Sequence, residues 1–106
     1  MSRASLELQG RAGGFAQTLR QHLPELQERY GVAYLGLFGS YVRGEEEEDS
    51  DLDLLVEFDD RPMGLFGFVA LEDYLSELLD VKVDLVMRRA LKRRIGKRIL
   101  EEVVQV

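Results

Sequence analysis

The sequence predicts an α/β domain, in the broad sense that includes α+β folds: one small mixed sheet of at least three strands packed against helices. Three observations carry that prediction. Two short apolar runs, 32–38 (VAYLGLF) and 52–58 (LDLLVEF), are bounded by Gly31, Gly39-Ser40 and Asp59-Asp60-Arg61-Pro62, the turn chemistry that punctuates strands. A third apolar run, 81–86 (VKVDLV), follows a segment in which Leu65, Phe68, Leu75 and Leu78 recur at helical spacing. Helical patterns lead and close the chain, so the order is helix, strand, strand, helix, strand, helix, which a sheet covered by helices satisfies.

The first helix is expected over 3–20, with Phe15, Leu19 and Leu23 on one face and a start weakened by Gly10, Gly13 and Gly14. Pro24 suits the first turn of a separate short helix, PELQERY, better than a helix interior, and Gly31 suits its C-cap. The helix between the second and third strands spans 64–79, where Gly67 costs about 1 kcal/mol relative to Ala and marks close packing. A last helix over 89–101 is expected to face inward with Leu91, Ile95 and Ile99. No repeat or internal linker divides the chain, so residues 1–106 form one domain.

Composition narrows the function classes. The 106 residues contain no cysteine, which removes disulfides, thiol catalysis and thiolate metal sites. No apolar run is long enough to span a bilayer, and the opening MSRASLELQGRAGG has no apolar signal core, so the cytoplasm is the expected compartment. The net charge of −6 is unevenly spread: residues 1–60 carry 5 basic and 13 acidic groups, residues 61–106 carry 9 and 7. The acidic excess argues against a general nucleic-acid binder, while seven Lys or Arg between Arg88 and Arg98 offer a stripe for an acidic partner. A homo-oligomer is compatible with this composition.

The chemistry concentrates in three acids. Asp51 and Asp53 open the second strand, and alternation puts both on one face with Cα atoms about 6.6 Å apart, while Leu52, Leu54 and Val56 take the other. Two acids pointing the same way repel and resist desolvation. A magnesium ion resolves that conflict, since it prefers carboxylate oxygens and keeps positions for phosphates. Asp84 interrupts the third apolar strand and joins the cluster if the strands are neighbours. The alternative is that Asp51 caps a turn and the other two lie on a solvated face. Glu45 to Glu48 read as a solvated loop.

Gly39-Ser40-Tyr41-Val42-Arg43-Gly44 follows the first strand. Gly39 permits close backbone approach, Ser40 offers a hydroxyl beside N–H groups that open toward an anion, and Arg43 adds positive charge to a phosphate or pairs with the acidic loop. His22 and Tyr30, Tyr34 and Tyr41 read as surface, core or rim residues, with Tyr41 near enough to the turn to touch a nucleotide.

The pair Gly39-Ser40 followed, after ten intervening residues, by Asp51-Leu52-Asp53 resembles the signature of the polymerase-beta-type nucleotidyltransferase superfamily. The fuller LFGSYVRGEEEEDSDLDLLVEF and the later VKVDLVMRRAL…IGKRILEEVVQV resemble its minimal branch, the MNT domains. The likeness covers about 24–106 and leaves 1–23 as a leading helix. It implies a polymerase-beta-like fold and transfer of a nucleoside monophosphate, with ATP expected as donor, to a hydroxyl with release of pyrophosphate. It further implies that Gly39 and Ser40 hold the triphosphate, that Asp51 and Asp53 bind magnesium, and that Asp84 is the third metal-side acid and orients or deprotonates the attacking hydroxyl. Arg43 and Gly44 match the recurring pattern beside the phosphate turn. Minimal members are commonly paired with a helical HEPN-type toxin, for which the MNT protein is the antitoxin, and some adenylylate a tyrosine on it. A protein that neutralises its partner by contact alone is the alternative. On either reading the basic residues after Asp84 serve the surface.

Overall fold

The computed structural model describes Leu8 and residues 10–106, so the start of the predicted leading helix lies outside the described residues. Helix α1 (Gly10–Tyr30) is followed by strand β1 (Val32–Phe38), a one-turn helix α2 (Ser40–Arg43), strand β2 (Leu52–Phe58), helix α3 (Leu65–Leu79) and strand β3 (Val83–Met87). A 3-10 turn (Arg88–Ala90), helix α4 (Arg93–Glu102) and the short strand β4 (Val104–Gln105) complete the order. The sheet runs β3-β2-β1-β4. β1 is antiparallel to β2 and β4, whereas β2 and β3 are parallel and joined through α3. This is the mixed sheet the sequence predicts, with one strand more.

Alternation sorts the strands into two faces. Leu35 and Leu37 of β1, Leu52, Leu54 and Val56 of β2, and Val83 and Leu85 of β3 pack with Phe15, Leu19 and Leu26 of α1 and with Leu71 and Leu75 of α3 in one core. The intervening positions, including Phe38, Asp53, Leu55 and Asp84, therefore point to the opposite face. Phe38 and Leu55 are buried there without joining that core. No described helix is long and apolar enough to cross a membrane.

The structure corrects the sequence reading at three places. Pro24 does not open a separate helix; it lies inside α1. An interior proline costs about 3 kcal/mol, but Leu19 and Leu26 on either side are fully buried, and each such leucine is worth roughly 1.5–3 kcal/mol. Pro24 and Arg20, whose carbonyl loses its i+4 donor, are both exposed. Gly31 does cap the helix, with φ 69° and its N–H donated to the Gln27 carbonyl at 3.1 Å. Arg61 adds a cap from below, donating to the Glu28 carbonyl at 2.7 Å and to that of Gln27, while paired with Asp59.

The second correction concerns the last helix. The 3-10 turn closes when the Leu91 N–H reaches the Arg88 carbonyl at 3.2 Å, and helical phase restarts only at Arg93. The inward position passes to Gly96, where an added Cβ would lie 3.1 Å from that of Leu91, and Ile95 is left 57% exposed. Third, β4 was not predicted. It pairs Gly36 with Gln105 and Leu37 with Val104. An added Cβ on Gly36 would meet Val103 at 2.6 Å, so only glycine admits this closure. Tyr41 takes the core position among those expected for it: it is 3% exposed, stands edge-on to Phe15 at 5.5 Å, and donates to the Ser50 carbonyl at 3.3 Å. Close packing does not explain Gly67: an added Cβ would meet only the flexible Met63 side chain, its sulfur at 2.8 Å.

β3 is an edge strand, so every second N–H faces away from β2. Two side chains of α3 take these donors: the Val83 N–H reaches Ser76 Oγ at 3.0 Å and the Leu85 N–H reaches Glu72 Oε2 at 2.9 Å. They bracket Asp84 and fix its backbone against the sheet.

Candidate active site

Register brings the predicted acids together. Phe38, Asp53 and Asp84 are cross-strand partners in one row, with neighbouring backbones about 4.8 Å apart. Asp51 lies one residue before β2 on the same face, half-buried, with Lys82 Nζ at 3.8 Å from its carboxylate. Lys82 is 80% exposed, so this contact contributes little. Asp84 is exposed and Asp53 half-buried. The Asp53 carboxyl is pushed up to about 6, first by burial and then by the charges of Asp84 and Asp51, with Arg43 opposing the rise.

The Gly39 turn abuts this acid. Gly39 has φ 84° and ψ −157°, a conformation open in practice to glycine, and an added Cβ would lie 2.1 Å from Asp53 Oδ2. The chain then enters α2, whose Val42 and Arg43 N–H groups return to the Gly39 carbonyl at 3.1 and 3.2 Å. Ser40 begins that turn beside the acids. Gly44 ends it in the left-handed region with φ 72°, its N–H donated to the Ser40 carbonyl. The acidic loop is tied back by the Glu47 N–H to Ser50 Oγ at 2.8 Å. Glu45, Glu47 and Glu48 are exposed as expected, whereas Glu46 is half-buried with one carboxylate oxygen lacking a partner among the described residues.

A cleft of about 240 Å³ opens over Phe38, Gly39, Arg43 and Asp53. Its far wall is α4, which contributes Ile95, Arg98, Ile99 and Glu102. A separate cavity of about 460 Å³ at the other end of β2, lined by Glu57, Asp59, Arg61, Met63, Met87 and Arg89 among others, contains none of the predicted site residues. Of the predicted site residues, Gly39, Arg43 and Asp53 line the smaller cleft.

The arrangement is a row of acids next to a glycine turn and the Arg43 guanidinium. A family model described as a nucleotidyltransferase domain matches residues 19–106. The chain belongs to this nucleotidyltransferase family. Among relatives, protein adenylyltransferase MntA of Thermococcus cleftensis is 54% identical over 88 residues, covering 83% of this chain and 88% of that protein. A solved structure described as a candidate minimal nucleotidyltransferase superposes with a TM-score of 0.72 at 38% identity, over 85% of this chain and 91% of the other. A toxin–antitoxin structure with AMP-PNP superposes with a TM-score of 0.65 at 25% identity, over 80% of this chain and 69% of that one. This chain is thus a nucleotidyltransferase of the minimal type, with the fold that the Gly-Ser and Asp-x-Asp resemblance implied.

The candidate site contains residues that sequence reasoning missed or placed elsewhere. Arg98 was assigned to an outward basic face, yet it lines the cleft with Asp53; Arg88 instead pairs with Glu57 at 3.0 Å. Ile95 was assigned to the core and is at the cleft mouth. Glu102 was assigned no role. Its Oε2 accepts the Gly39 N–H at 2.8 Å and its Oε1 accepts from Arg43 at 2.7 Å. No local pattern flags it, because 63 residues separate Glu102 from Gly39.

The donor set also bears on metal. Among the described residues no group of three or more acidic, histidine or cysteine side chains forms a ready metal cage. Magnesium is commonly held by one or two carboxylates, with water and substrate phosphates completing the octahedron. Asp51, Asp53 and Asp84 fit that manner of binding: all are hard oxygen donors on one sheet face, and their mutual repulsion is what a divalent cation relieves.

Proposed function

We propose that this nucleotidyltransferase transfers AMP from ATP to a hydroxyl, with a tyrosine of a helical HEPN-type toxin as acceptor. The observation that carries the reading is Asp53 set in register beside Asp84 and packed against the Gly39 turn. Gly39 and Ser40 hold the terminal phosphates through backbone N–H groups and the Ser40 hydroxyl, and Arg43 neutralises one of their charges. Gly44 stops α2 so that Arg43 stays over the cleft. Asp51 and Asp53 are the main ligands to magnesium, with Asp84 completing the acid set; when bound, the ion neutralises phosphate charge and lowers the pKa of the acceptor hydroxyl.

Asp84, exposed on the open face, accepts the hydroxyl proton as the acceptor oxygen bonds to the α-phosphorus. The bond from that phosphorus to the oxygen bridging the β-phosphate breaks, and pyrophosphate leaves with the electron pair. The similarity to protein adenylyltransferase MntA and to a toxin–antitoxin structure with AMP-PNP supports adenylyl transfer within such a pair.

The test is to co-express the chain with a HEPN-type toxin and map that protein by peptide mass spectrometry. AMP on a tyrosine, lost in the Asp51→Asn, Asp53→Asn double variant, is the expected result; AMP absent from the wild-type complex, or retained with the double variant, refutes the reading. Neutralisation by contact alone is the second reading, favoured by Leu65, Phe66 and Val69 at the start of α3, which are 75%, 91% and 43% exposed. Under it, the double variant at equal protein level still rescues cells from the toxin.

A further inference from the structure

The contact between α4 and the glycine turn is unusual in what it consumes. Glu102 spends both carboxylate oxygens on the Gly39 N–H and on Arg43. These are two of the groups that the proposed function gives to the triphosphate. A carboxylate with two oxygens on a backbone N–H and a guanidinium imitates two oxygens of a phosphate. Arg43 is further engaged by Glu45 at 3.3 Å, so two carboxylates already neutralise its charge. Both residues line the cleft, with the Glu102 side chain 22% exposed and that of Arg43 46%.

We propose that Glu102 is an internal occupant of the phosphate subsite, which an incoming nucleoside triphosphate must displace. The inference rests on the reading that the Gly39 turn and Arg43 bind the triphosphate. A phosphate arriving at Arg43 would meet a carboxylate of like charge, so both cannot keep the same donors. The displaced carboxylate has somewhere to go: Arg98 lies four residues earlier on α4, at the spacing of helix neighbours. It lines the same cleft and makes no ion pair among the described residues. Nucleotide affinity therefore carries the cost of opening the Glu102 contacts, as for any ligand whose competent state is fractionally populated. α4 leads directly into β4 at the edge of the sheet, so the occupant is anchored by a strand and not by a loose tail.

The experiment is calorimetric titration of the full chain with AMP-PNP plus magnesium and, separately, with inorganic tripolyphosphate. Glu102→Gln should bind both ligands about two- to fivefold more tightly than wild type, the range of a partly exposed ion pair. Glu102→Asp, which keeps the charge but withdraws it by one methylene, should move the same way. The gain should vanish when Arg43→Ala is added. A thermal melt of each variant establishes that it is folded. If wild type binds and the folded Glu102 variants bind no more tightly, or more weakly, Glu102 holds the turn in shape and the proposal is overturned. If neither wild type nor the folded Glu102 variants bind either ligand, the phosphate reading beneath it falls as well.

Discussion

Replacing Asp53 by Asn should stabilise this protein near neutral pH while removing its function. The Asp53 carboxyl is moved from 3.8 to about 6 by burial and by Asp84 and Asp51. At about 1.36 kcal/mol per unit that corresponds to about 3 kcal/mol; solvent at a half-buried site reduces the expected effect to about 1–2 kcal/mol. Because the folded carboxyl binds its proton more tightly than the unfolded one, the folded state holds more protons between roughly pH 4 and 6. Stability therefore falls as pH rises through that window, and above it the whole penalty is present. Asn cannot ionise, so the variant loses this slope. Thermal melts across pH 4.5 to 8 with chelator, taken as about the range that brackets the titration, should show Asp53→Asn above wild type by roughly 4–15 °C at the alkaline end. The two should converge toward the acid end. Adding magnesium should raise the wild type and leave the variant nearly unmoved. A variant that melts at or below wild type near neutral pH, with the same pH slope, would show that Asp53 is not under electrostatic strain.

Three further perturbations probe the scaffold around that acid. Gly39→Ala places a methyl against the Asp53 carboxylate in a glycine-only conformation, and should cost about 2 kcal/mol or more by chemical denaturation; an effect below the error of the fit would refute the close approach. Ser76→Ala leaves the Val83 N–H short of its partner and should cost about 1 kcal/mol, with increased hydrogen exchange at Val83; unchanged exchange would mean that water replaces the hydroxyl at no cost. Ile95→Ser should change stability by no more than about 0.5 kcal/mol, since Ile95 is exposed; a loss near 2 kcal/mol would restore the inward face that periodicity suggested.

The local rules were sufficient where one element decides its own fate. β1 and β2 begin and end at the residues the apolar runs and turn signals indicate, and α3 differs by a single residue at its start. The acid face followed from alternation, because Leu52, Leu54 and Val56 leave Asp51 and Asp53 no other side. Elsewhere the decision is tertiary. Pro24 stays helical because buried leucines on both sides outweigh a local cost. β4 exists because Gly36 leaves room for Val103, a fact about two distant residues. Ile95 turned outward because a 3-10 turn reset the helical phase, and periodicity cannot register an interruption of three residues. Glu102 is an acid in a run of charged positions until the fold brings it to Gly39. The candidate site was legible where a residue breaks a local pattern, as Asp84 does in its apolar strand, and hidden where, as for Glu102, no local pattern is broken.

The most direct test of the central claim follows the two ends of ATP separately. This chain, mixed with the HEPN-type protein proposed as its partner, is incubated with magnesium and ATP labelled at either the α- or the γ-phosphate. Nucleotidyl transfer predicts label on the partner from α-labelled ATP and none from γ-labelled ATP, with pyrophosphate released in equal amount and all transfer lost in the Asp51→Asn, Asp53→Asn variant. Label arriving from the γ-phosphate, or from neither under conditions where ATP binds, would contradict it.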